Sequence, residues 1–266
     1  MKKKLLALVA AITLFATLFA GCGGASDQDQ TDLLTAIKEK GTLTIAMEGT
    51  WAPWTYHDTE DKLVGFDVEI GQYIADYLGV KANFVEGEWD GLFAGMDSKL
   101  YDLVINGVDI TEDRSLKYDF TDPYAYIRTV LVVRKDNEDI QSFDDLKGRT
   151  TANSIGSTYM ELGEQYGATV QGVDSLGETM SMVISGRVDA TLNAEVSVLD
   201  YLKEQPDAAI KVVASTPEAN HVAIPLRKGE ETASLREAIN AAIKQMREDG
   251  TLKSLSEKYF GKDITE

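Results

Sequence analysis

Cysteine and histidine are nearly missing from this sequence. Of 266 residues one is a cysteine, Cys22, and two are histidines, His57 and His221. A single thiol cannot form an internal disulfide, and so few soft ligands exclude a cysteine-based metal site and nearly exclude a multi-histidine one. We therefore expect no metal centre and no cofactor.

Positive charge is also scarce. There are 26 Lys and Arg residues against 44 Asp and Glu, a formal charge of −18. Phosphate backbones are held by clustered Lys and Arg, so nucleic acid is not an expected partner. The chain has neither the Gly-rich phosphate loop of nucleotide hydrolases nor a G-x-S-x-G nucleophile elbow. A hydrophobic fraction of 44% is ordinary for a globular protein and excludes wholesale disorder and a polytopic membrane protein.

The N-terminus has the pattern of an export signal. Three lysines precede an apolar run over 5–20 that is too short for a typical bilayer span and ends in small residues. Phe19-Ala20-Gly21-Cys22 resembles the bacterial lipobox, with Phe19 in place of the usual aliphatic residue. We predict a signal peptide at 1–21 and a flexible tether at 22–32 that begins with acylated Cys22. The folded protein is then extracytoplasmic and lipid-anchored to the cell membrane.

The remainder predicts alternating strands and helices. Thr42–Met47 and Thr129–Arg134 have strand patterns, and Asp67 is positioned to cap a helix that stops at Gly79. A single strand is predicted over His221–Pro225. Alternation of this kind predicts an α/β fold with mostly parallel sheets, and two runs of it suggest two lobes.

Two loops that follow strands are candidates for a ligand site. Ligands bind beyond the carboxyl ends of strands in open α/β sheets. The first loop, 48–56, offers Trp51 as a flat wall, whereas Trp54 and Tyr56 are expected in the core. The second, 106–114, contains Arg114, whose planar fork of donors matches a carboxylate.

Several motifs resemble those of the bacterial extracellular solute-binding proteins for polar amino acids, the capture subunits of ABC importers. The resemblance runs from about residue 42 to residue 260, and four motifs carry it in order: G-F-D-V-E-I at 65–70, I-T-E-D-R at 110–114 followed by F-T-D-P-Y at 120–124, D-D-L-K-G at 144–148, and G-R-V-D-A at 186–190. The E-W-D-G run at 88–91 is similar to that of cystine-type members.

The resemblance implies a type II periplasmic-binding-protein fold, with a ligand cleft between two α/β lobes. Lobe 1 is expected at 33–132 plus 222–266, lobe 2 at 137–216, and the hinges at 132–135 and 216–222. By resemblance, Arg114 grips the ligand α-carboxylate, and Ser157 and Thr158 add donors to it. The implied ligand-binding residues are Glu48, Trp51, Trp89, Asn106, Gly107, Asp109, Arg114, Gly156, Ser157, Thr158, Asn193 and Glu195.

One departure concerns the ligand ammonium. The family usually binds it with a lobe 2 aspartate, but this sequence has Ala194 there. Asp109 stands where Ser, Thr or Gly is usual. A buried ammonium without a carboxylate partner is costly, so we hypothesise that Asp109 replaces the missing acid, with Glu195 or Glu48 as alternatives. The rival interpretation is that Asp109 only neutralises Arg114.

The expected function is reversible capture of a polar amino acid, cystine or cysteine first, and its delivery to a membrane ABC permease by a monomeric protein. One alternative is an arogenate- or prephenate-type dehydratase of the same fold, with Glu195 or Glu48 as general acid. A sensor module is weaker still, because such modules are normally fused to transmembrane and signalling parts that this sequence does not contain.

Overall fold

The computed structural model describes residues 32–266 as strands and helices that alternate along the chain. The predicted signal peptide, Cys22 and nearly all of the predicted tether lie outside the described residues. No helix within residues 32–266 combines the length and the hydrophobicity that crossing a bilayer requires.

The helices of this part of the chain are α1 (Leu33–Lys40), α2 (Phe66–Leu78), α3 (Trp89–Asp97), α4 (Glu112–Lys117), α5 (Thr158–Gln165), α6 (Leu176–Ser185), α7 (Glu195–Glu204), α8 (Ala233–Glu248) and α9 (Thr251–Phe260), with short 3₁₀ turns at Phe143–Leu146 and Glu230–Thr232. The strands are β1 (Thr42–Met47), β2 (Thr50–Trp51), β3 (Thr55–His57), β4 (Leu63–Val64), β5 (Lys81–Glu86), β6 (Leu103–Val104), β7 (Tyr118–Phe120), β8 (Ala125–Ile127), β9 (Thr129–Arg134), β10 (Thr150–Asn153), β11 (Thr169–Gly172), β12 (Ala190–Ala194), β13 (Ile210–Ser215), β14 (Asn220–Val222) and β15 (Pro225–Arg227).

Two sheets organise these elements. The first has the order β5-β1-β6, with β1 parallel to both neighbours. The second has the order β11-β10-β12-β9-β13, in which β10 is parallel to β11 and β12 while β9 is antiparallel to β12 and β13. The α/β class is as predicted, although the second sheet is mixed rather than mostly parallel.

The chain passes between the two sheets through short ribbons. Strand β8 pairs with β14 and β7 pairs with β15, both antiparallel. Because β9 is hydrogen-bonded into the second sheet from Thr129 onward, residues 129–132 lie with that sheet and not with the first lobe as bounded above. The strand predicted over 221–225 is two strands, since its halves pair with different partners.

Helix α2 begins differently from the prediction. Its N-terminal cap is Gly65, whose φ of 139° few other residues adopt, and Asp67 lies inside the first turn. The carboxylate of Asp67 is fully buried and accepts hydrogen bonds from the Gly107 N–H and the Tyr124 hydroxyl. Asp67 therefore ties α2 to the loop after β6 and does not cap its own helix.

Separate apolar clusters lie against the two sheets. Ile45, Ile70 and Trp54 are buried in the cluster beside the first sheet, and Val132 belongs to a cluster beside the second. Trp54 is 1% exposed, which agrees with its predicted core position, but Tyr56 is half-buried and not in the core. Each sheet is therefore stabilised by its own apolar cluster. The loops that follow the strands of each sheet face the space between the two sheets.

Candidate functional site

A pocket lies between loops that follow strands of the two sheets. Ten of the twelve predicted site residues line the pocket: Glu48, Trp51, Trp89, Asn106, Gly107, Asp109, Arg114, Ser157, Thr158 and Asn193. Residues separated by up to 145 positions in the chain thus meet at one cavity.

Asn106 joins the ends of two neighbouring strands. Because β1 and β6 are adjacent and parallel, Glu48 and Asn106 leave the sheet side by side. The Glu48 N–H donates to Asn106 Oδ1 at 2.8 Å, and Asn106 Nδ2 donates to Glu48 Oε2 at 2.5 Å. Burial raises the pKa of Glu48 to about 7 against the partly opposing effect of the Asn106 hydrogen bond. Glu48 therefore presents to the pocket a carboxyl group that changes charge near neutral pH.

Gly107 allows the loop to pass close under the tryptophans. Its φ is +55°, and a Cβ at this position would lie 2.6 Å from Trp51 Cζ3. The Gly107 N–H donates to Asp67, which holds the turn in place. The pocket floor consequently depends on a residue with no side chain.

Arg114 projects from the short helix α4, which is capped by the Thr111 hydroxyl. Its Nη1 donates to the Asp109 carbonyl at 3.0 Å and its Nη2 to the Gly156 carbonyl at 3.3 Å. Burial lowers the pKa of Arg114, while nearby acids, Asp109 first, act against that shift. No carboxylate oxygen within residues 32–266 lies within 4.0 Å of the guanidinium. Arg114 is thus a mostly buried cation with donors still available.

Asp109 is 6% exposed, and its Oδ2 accepts from Thr158 Oγ1 at 2.6 Å and from Asn220 Nδ2 at 3.0 Å. Burial raises the pKa of Asp109, although the Thr158 hydrogen bond and the Arg114 charge oppose the shift. Asp109 Oδ1 accepts no hydrogen bond from the part of the chain that the structure describes. One oxygen is therefore held by the protein while the other is available.

The start of helix α5 forms the opposite wall. Ser157 caps the helix, and its hydroxyl accepts from the Met160 N–H at 3.1 Å. The first-turn N–H groups of Thr158 and Tyr159 have no intrahelical acceptor, as at any helix start. Thr158 Oγ1 already donates to Asp109, whereas the Ser157 oxygen only accepts, so these N–H groups and the Ser157 O–H are the donors left for an anion.

The tryptophans link the two walls. Trp51 is 8% exposed and stacks on Trp54 at a centroid distance of 5.3 Å. Trp51 Nε1 donates to Asn193 Oδ1 at 3.2 Å, and Trp54 Nε1 donates to Ser197 Oγ at the same distance. These contacts join the β2–β3 hairpin to the end of β12 and the start of α7.

Two predicted residues do not line the pocket. Glu195 forms an ion pair with Lys262 Nζ at 2.5 Å, because it starts helix α7 on the side that faces the C-terminal segment. Gly156 contributes only its carbonyl to Arg114. The pocket also contains four residues that the sequence analysis missed: Ser154, Tyr159, Leu176 and Thr179. Tyr159 adjoins a predicted pair, but Leu176 and Thr179 have the spacing of an ordinary amphipathic helix and carry no distinguishing signal.

Comparisons with known proteins place these features in a family. The profile of the bacterial extracellular solute-binding proteins, family 3, matches residues 43–262. The L-cystine-binding protein TcyA of Bacillus subtilis is 43% identical over the full length of both chains. An ancestral arginine-binding protein bound to arginine has a TM-score of 0.77 at 37% identity, covering 83% of this chain and 98% of that one. The L-cystine solute receptor of Neisseria gonorrhoeae, unliganded and open, has a TM-score of 0.59 at 40% identity, covering 88% and 99%.

The fold is accordingly the type II fold of amino-acid periplasmic binding proteins. The three proteins just described are named as binding proteins or as a receptor, so the comparisons favour solute binding over the dehydratase alternative. The fold agrees better with the ligand-bound relative than with the open receptor, despite lower sequence identity to the former.

Proposed function

The chain belongs to family 3 of the bacterial extracellular solute-binding proteins, and on this premise we propose that it captures L-cystine outside the cytoplasm and delivers it to an ABC permease. The observation that carries the proposal is Arg114, a largely buried guanidinium in the pocket with carbonyl contacts but no carboxylate partner among residues 32–266. A cation kept in this way is complementary to a carboxylate supplied by the ligand. The name of the Bacillus relative supports L-cystine as that ligand.

The ligand α-carboxylate lies between Arg114 and the start of helix α5. The guanidinium offers paired donors from one wall, and the Thr158 and Tyr159 N–H groups offer donors at the positive end of a helix from the other. A carboxylate at this point replaces the direct contact between Arg114 and Gly156. It bridges the two walls and so stabilises the closed arrangement through contacts that an open cleft lacks.

The ligand ammonium binds Asp109. The rival interpretation, in which Asp109 neutralises Arg114, is less favoured because the guanidinium contacts the Asp109 backbone carbonyl and not its carboxylate. Thr158 and Asn220 orient the Asp109 carboxylate by donating to its Oδ2, which leaves Asp109 Oδ1 for the ligand ammonium. Glu48 is the alternative acid, since it lines the same pocket. Glu195 is not favoured as the acid that binds the ammonium, because its carboxylate already pairs with Lys262.

The aromatic walls accommodate the disulfide of L-cystine. Trp51 and Trp89 both line the pocket, and sulfur makes favourable contacts with aromatic rings. No chemistry is required of the protein: binding and release follow from opening and closing of the cleft. The hydrogen bonds of Trp51 to Asn193 and of Trp54 to Ser197 cross this cleft and belong to its closed form.

We extend the proposal to anchoring and assembly. The N-terminal pattern supports export and acylation at Cys22, with the folded part acting as a monomer of two lobes. The lobes meet near the β8–β14 ribbon, where the chain passes between the sheets. Metabolic labelling with a radioactive fatty acid is expected to mark the full-length protein, and Cys22→Ala is expected to abolish the label. Label that persists in Cys22→Ala refutes the anchor.

Calorimetric titration tests the ligand and the site together. L-cystine is expected to bind more tightly than L-arginine or L-glutamine. Arg114→Lys keeps the charge but loses the planar fork, so the Kd for L-cystine should rise by about tenfold or more. Arg236→Lys is the matched control, because Arg236 pairs with Asp119 away from the pocket, and its Kd should stay within about twofold.

The outcomes separate two kinds of error. Strong binding of another amino acid with none of L-cystine refutes the ligand assignment. An unchanged Kd in Arg114→Lys refutes the assignment of the carboxylate to Arg114.

A further inference from the structure

Arg114, in α4, lies over two aromatic rings that both belong to α3. Its Cζ is 5.3 Å from the centroid of the Trp89 ring and 5.7 Å from that of Phe93. Both distances are within the range of cation–π attraction. Trp89 lines the ligand pocket, but Phe93 does not. Phe93 therefore contacts the candidate carboxylate-binding group without facing the ligand.

The local sequence explains this arrangement. Trp89 and Phe93 are four residues apart in α3 and so share one face, where their rings meet edge to face at 5.4 Å. Phe93 packs on Tyr118 at 5.3 Å, and the Tyr118 hydroxyl donates to Asp97 at the end of the same helix. We call Trp89, Phe93 and Tyr118 the aromatic shelf. Trp89 and Phe93 lie beneath Arg114, and Tyr118 supports Phe93.

A shelf of rings suits a cation that must stay available. A buried guanidinium needs a favourable environment to offset its loss of hydration. A carboxylate partner would supply one but would also occupy the donors and cancel the charge that a ligand carboxylate seeks. The face of an aromatic ring attracts the cation while taking none of its in-plane N–H groups. Arg114 accordingly has ring faces and two carbonyls around it but no acid within ion-pair distance in residues 32–266.

We propose that Phe93 is a positioning residue, which fixes the Arg114 guanidinium in the pocket before the ligand arrives. The inference rests on the proposed role of Arg114 in binding the ligand carboxylate. Phe93 and Tyr118 pack in one apolar cluster with Ala46 of β1 and Val104 of β6, so the ring under Arg114 belongs to the first sheet and the contact does not depend on closure of the cleft. Without the ring, the guanidinium is less ordered, and the ligand has to order it on binding.

Binding measurements test the inference with variants that retain the packing. Phe93→Leu is expected to raise the Kd for L-cystine by about threefold to tenfold, whereas Phe93→Tyr, which keeps a ring face, should stay within about twofold. Phenylalanines carrying one, two or three ring fluorines at position 93 preserve shape but weaken the ring's negative face. They are expected to raise Kd stepwise. In an Arg114→Gln background, which has no cation over the ring, Phe93→Leu should change Kd by less than about twofold. Melting temperatures establish that each variant folds.

A second measurement needs no ligand. The Arg114 Nε–H resonance, identified by its loss in Arg114→Lys, is expected upfield in the NMR spectrum because of the rings beneath it. Phe93→Leu should move it downfield and speed its exchange with water.

The results distinguish this inference from the proposed function. If Arg114→Lys weakens L-cystine binding but Phe93→Leu and the fluorinated series change neither Kd nor the resonance, the positioning role is wrong and the proposed function stands. An effect of Phe93→Leu that persists fully in the Arg114→Gln background also refutes positioning through Arg114. If wild-type protein does not bind L-cystine, the proposed function fails, and the resonance alone decides whether Phe93 orders Arg114.

Discussion

Replacement of Asp109 by asparagine tests which acid binds the ligand ammonium. Asparagine has nearly the same shape, and its Oδ1 can still accept from Thr158 and Asn220 where Asp109 Oδ2 does now. The other oxygen becomes an NH₂ group, which has nothing to offer an ammonium. Asp109→Asn therefore removes the proposed contact while leaving the hydrogen bonds between the pocket walls in place.

The expected loss follows from the burial of Asp109, which is 6% exposed. A hydrogen bond to a charged group contributes about 1.5–3 kcal/mol, which corresponds to a rise in Kd of roughly tenfold to a hundredfold. Calorimetry with L-cystine near neutral pH keeps the ligand amino groups protonated, and burial raises the pKa of the Asp109 carboxyl. At lower pH the wild-type affinity should fall as Asp109 gains a proton, and this dependence should weaken in Asp109→Asn.

Two matched variants complete the experiment. Glu195→Gln should leave Kd within about twofold, since Glu195 is paired with Lys262 outside the pocket. Glu48→Gln keeps an acceptor for Asn106 and should have the smaller effect of the two pocket acids. An unchanged Kd in Asp109→Asn refutes the reasoning. If the loss appears in Glu48→Gln instead, Glu48 binds the ammonium.

Three further perturbations test protonation, packing and fluorescence at the site. Burial raises the pKa of Asp67 from 3.8 to about 7, so its stabilising contribution is present below about pH 4 and is lost as pH rises through about 7, roughly 4 kcal/mol in all. Asp67→Asn should flatten this decline in urea unfolding between about pH 4 and pH 7, and an equally steep decline in the variant contradicts the assignment. Gly107→Ala places a Cβ 2.6 Å from Trp51 at a positive φ. This variant should lower the free energy of unfolding by about 1–3 kcal/mol and should also weaken L-cystine binding. Wild-type values for both quantities argue against the close approach of Gly107 to Trp51. Ligand binding should change tryptophan fluorescence through Trp51 and Trp89, so Trp51→Phe and Trp89→Phe should each diminish the change; a full response in both would mean that buried Trp54 reports instead.

Local pattern was enough for much of the fold. The bounds of β1 and β9 match the prediction because each is an uninterrupted run with one period and clear stops. The prediction of a single strand over 221–225 was wrong. Its two halves pair with different strands, β8 and β7, and strand pairing is not a local property of the sequence. The prediction that Asp67 caps its helix was wrong for a similar reason. An acid near a helix start predicts a cap, but the hydrogen-bond donors to Asp67 are Gly107 and Tyr124, which lie far along the chain.

The residues of the candidate site also fall into those that local sequence indicates and those that only the fold identifies. Arg114, Trp51 and the Ser157-Thr158 pair follow strands or begin helices, positions that a sequence reveals, and all line the pocket. Glu195 was indistinguishable by sequence from a pocket acid until Lys262, 67 residues away, was seen beside it. Phe93 had the spacing of a core residue, and only the fold places Arg114 over its ring.

The order of residues alone determined the α/β class, the resemblance to amino-acid receptors and the presence of one arginine suited to a carboxylate, because periodicity, turn residues and short motifs are properties of neighbouring positions. The tertiary structure decided which acids accompany that arginine, which of them are already paired, and which rings hold it. Those facts depend on contacts between segments that are distant in the chain, where burial and hydrogen bonding set the charge and orientation of each group.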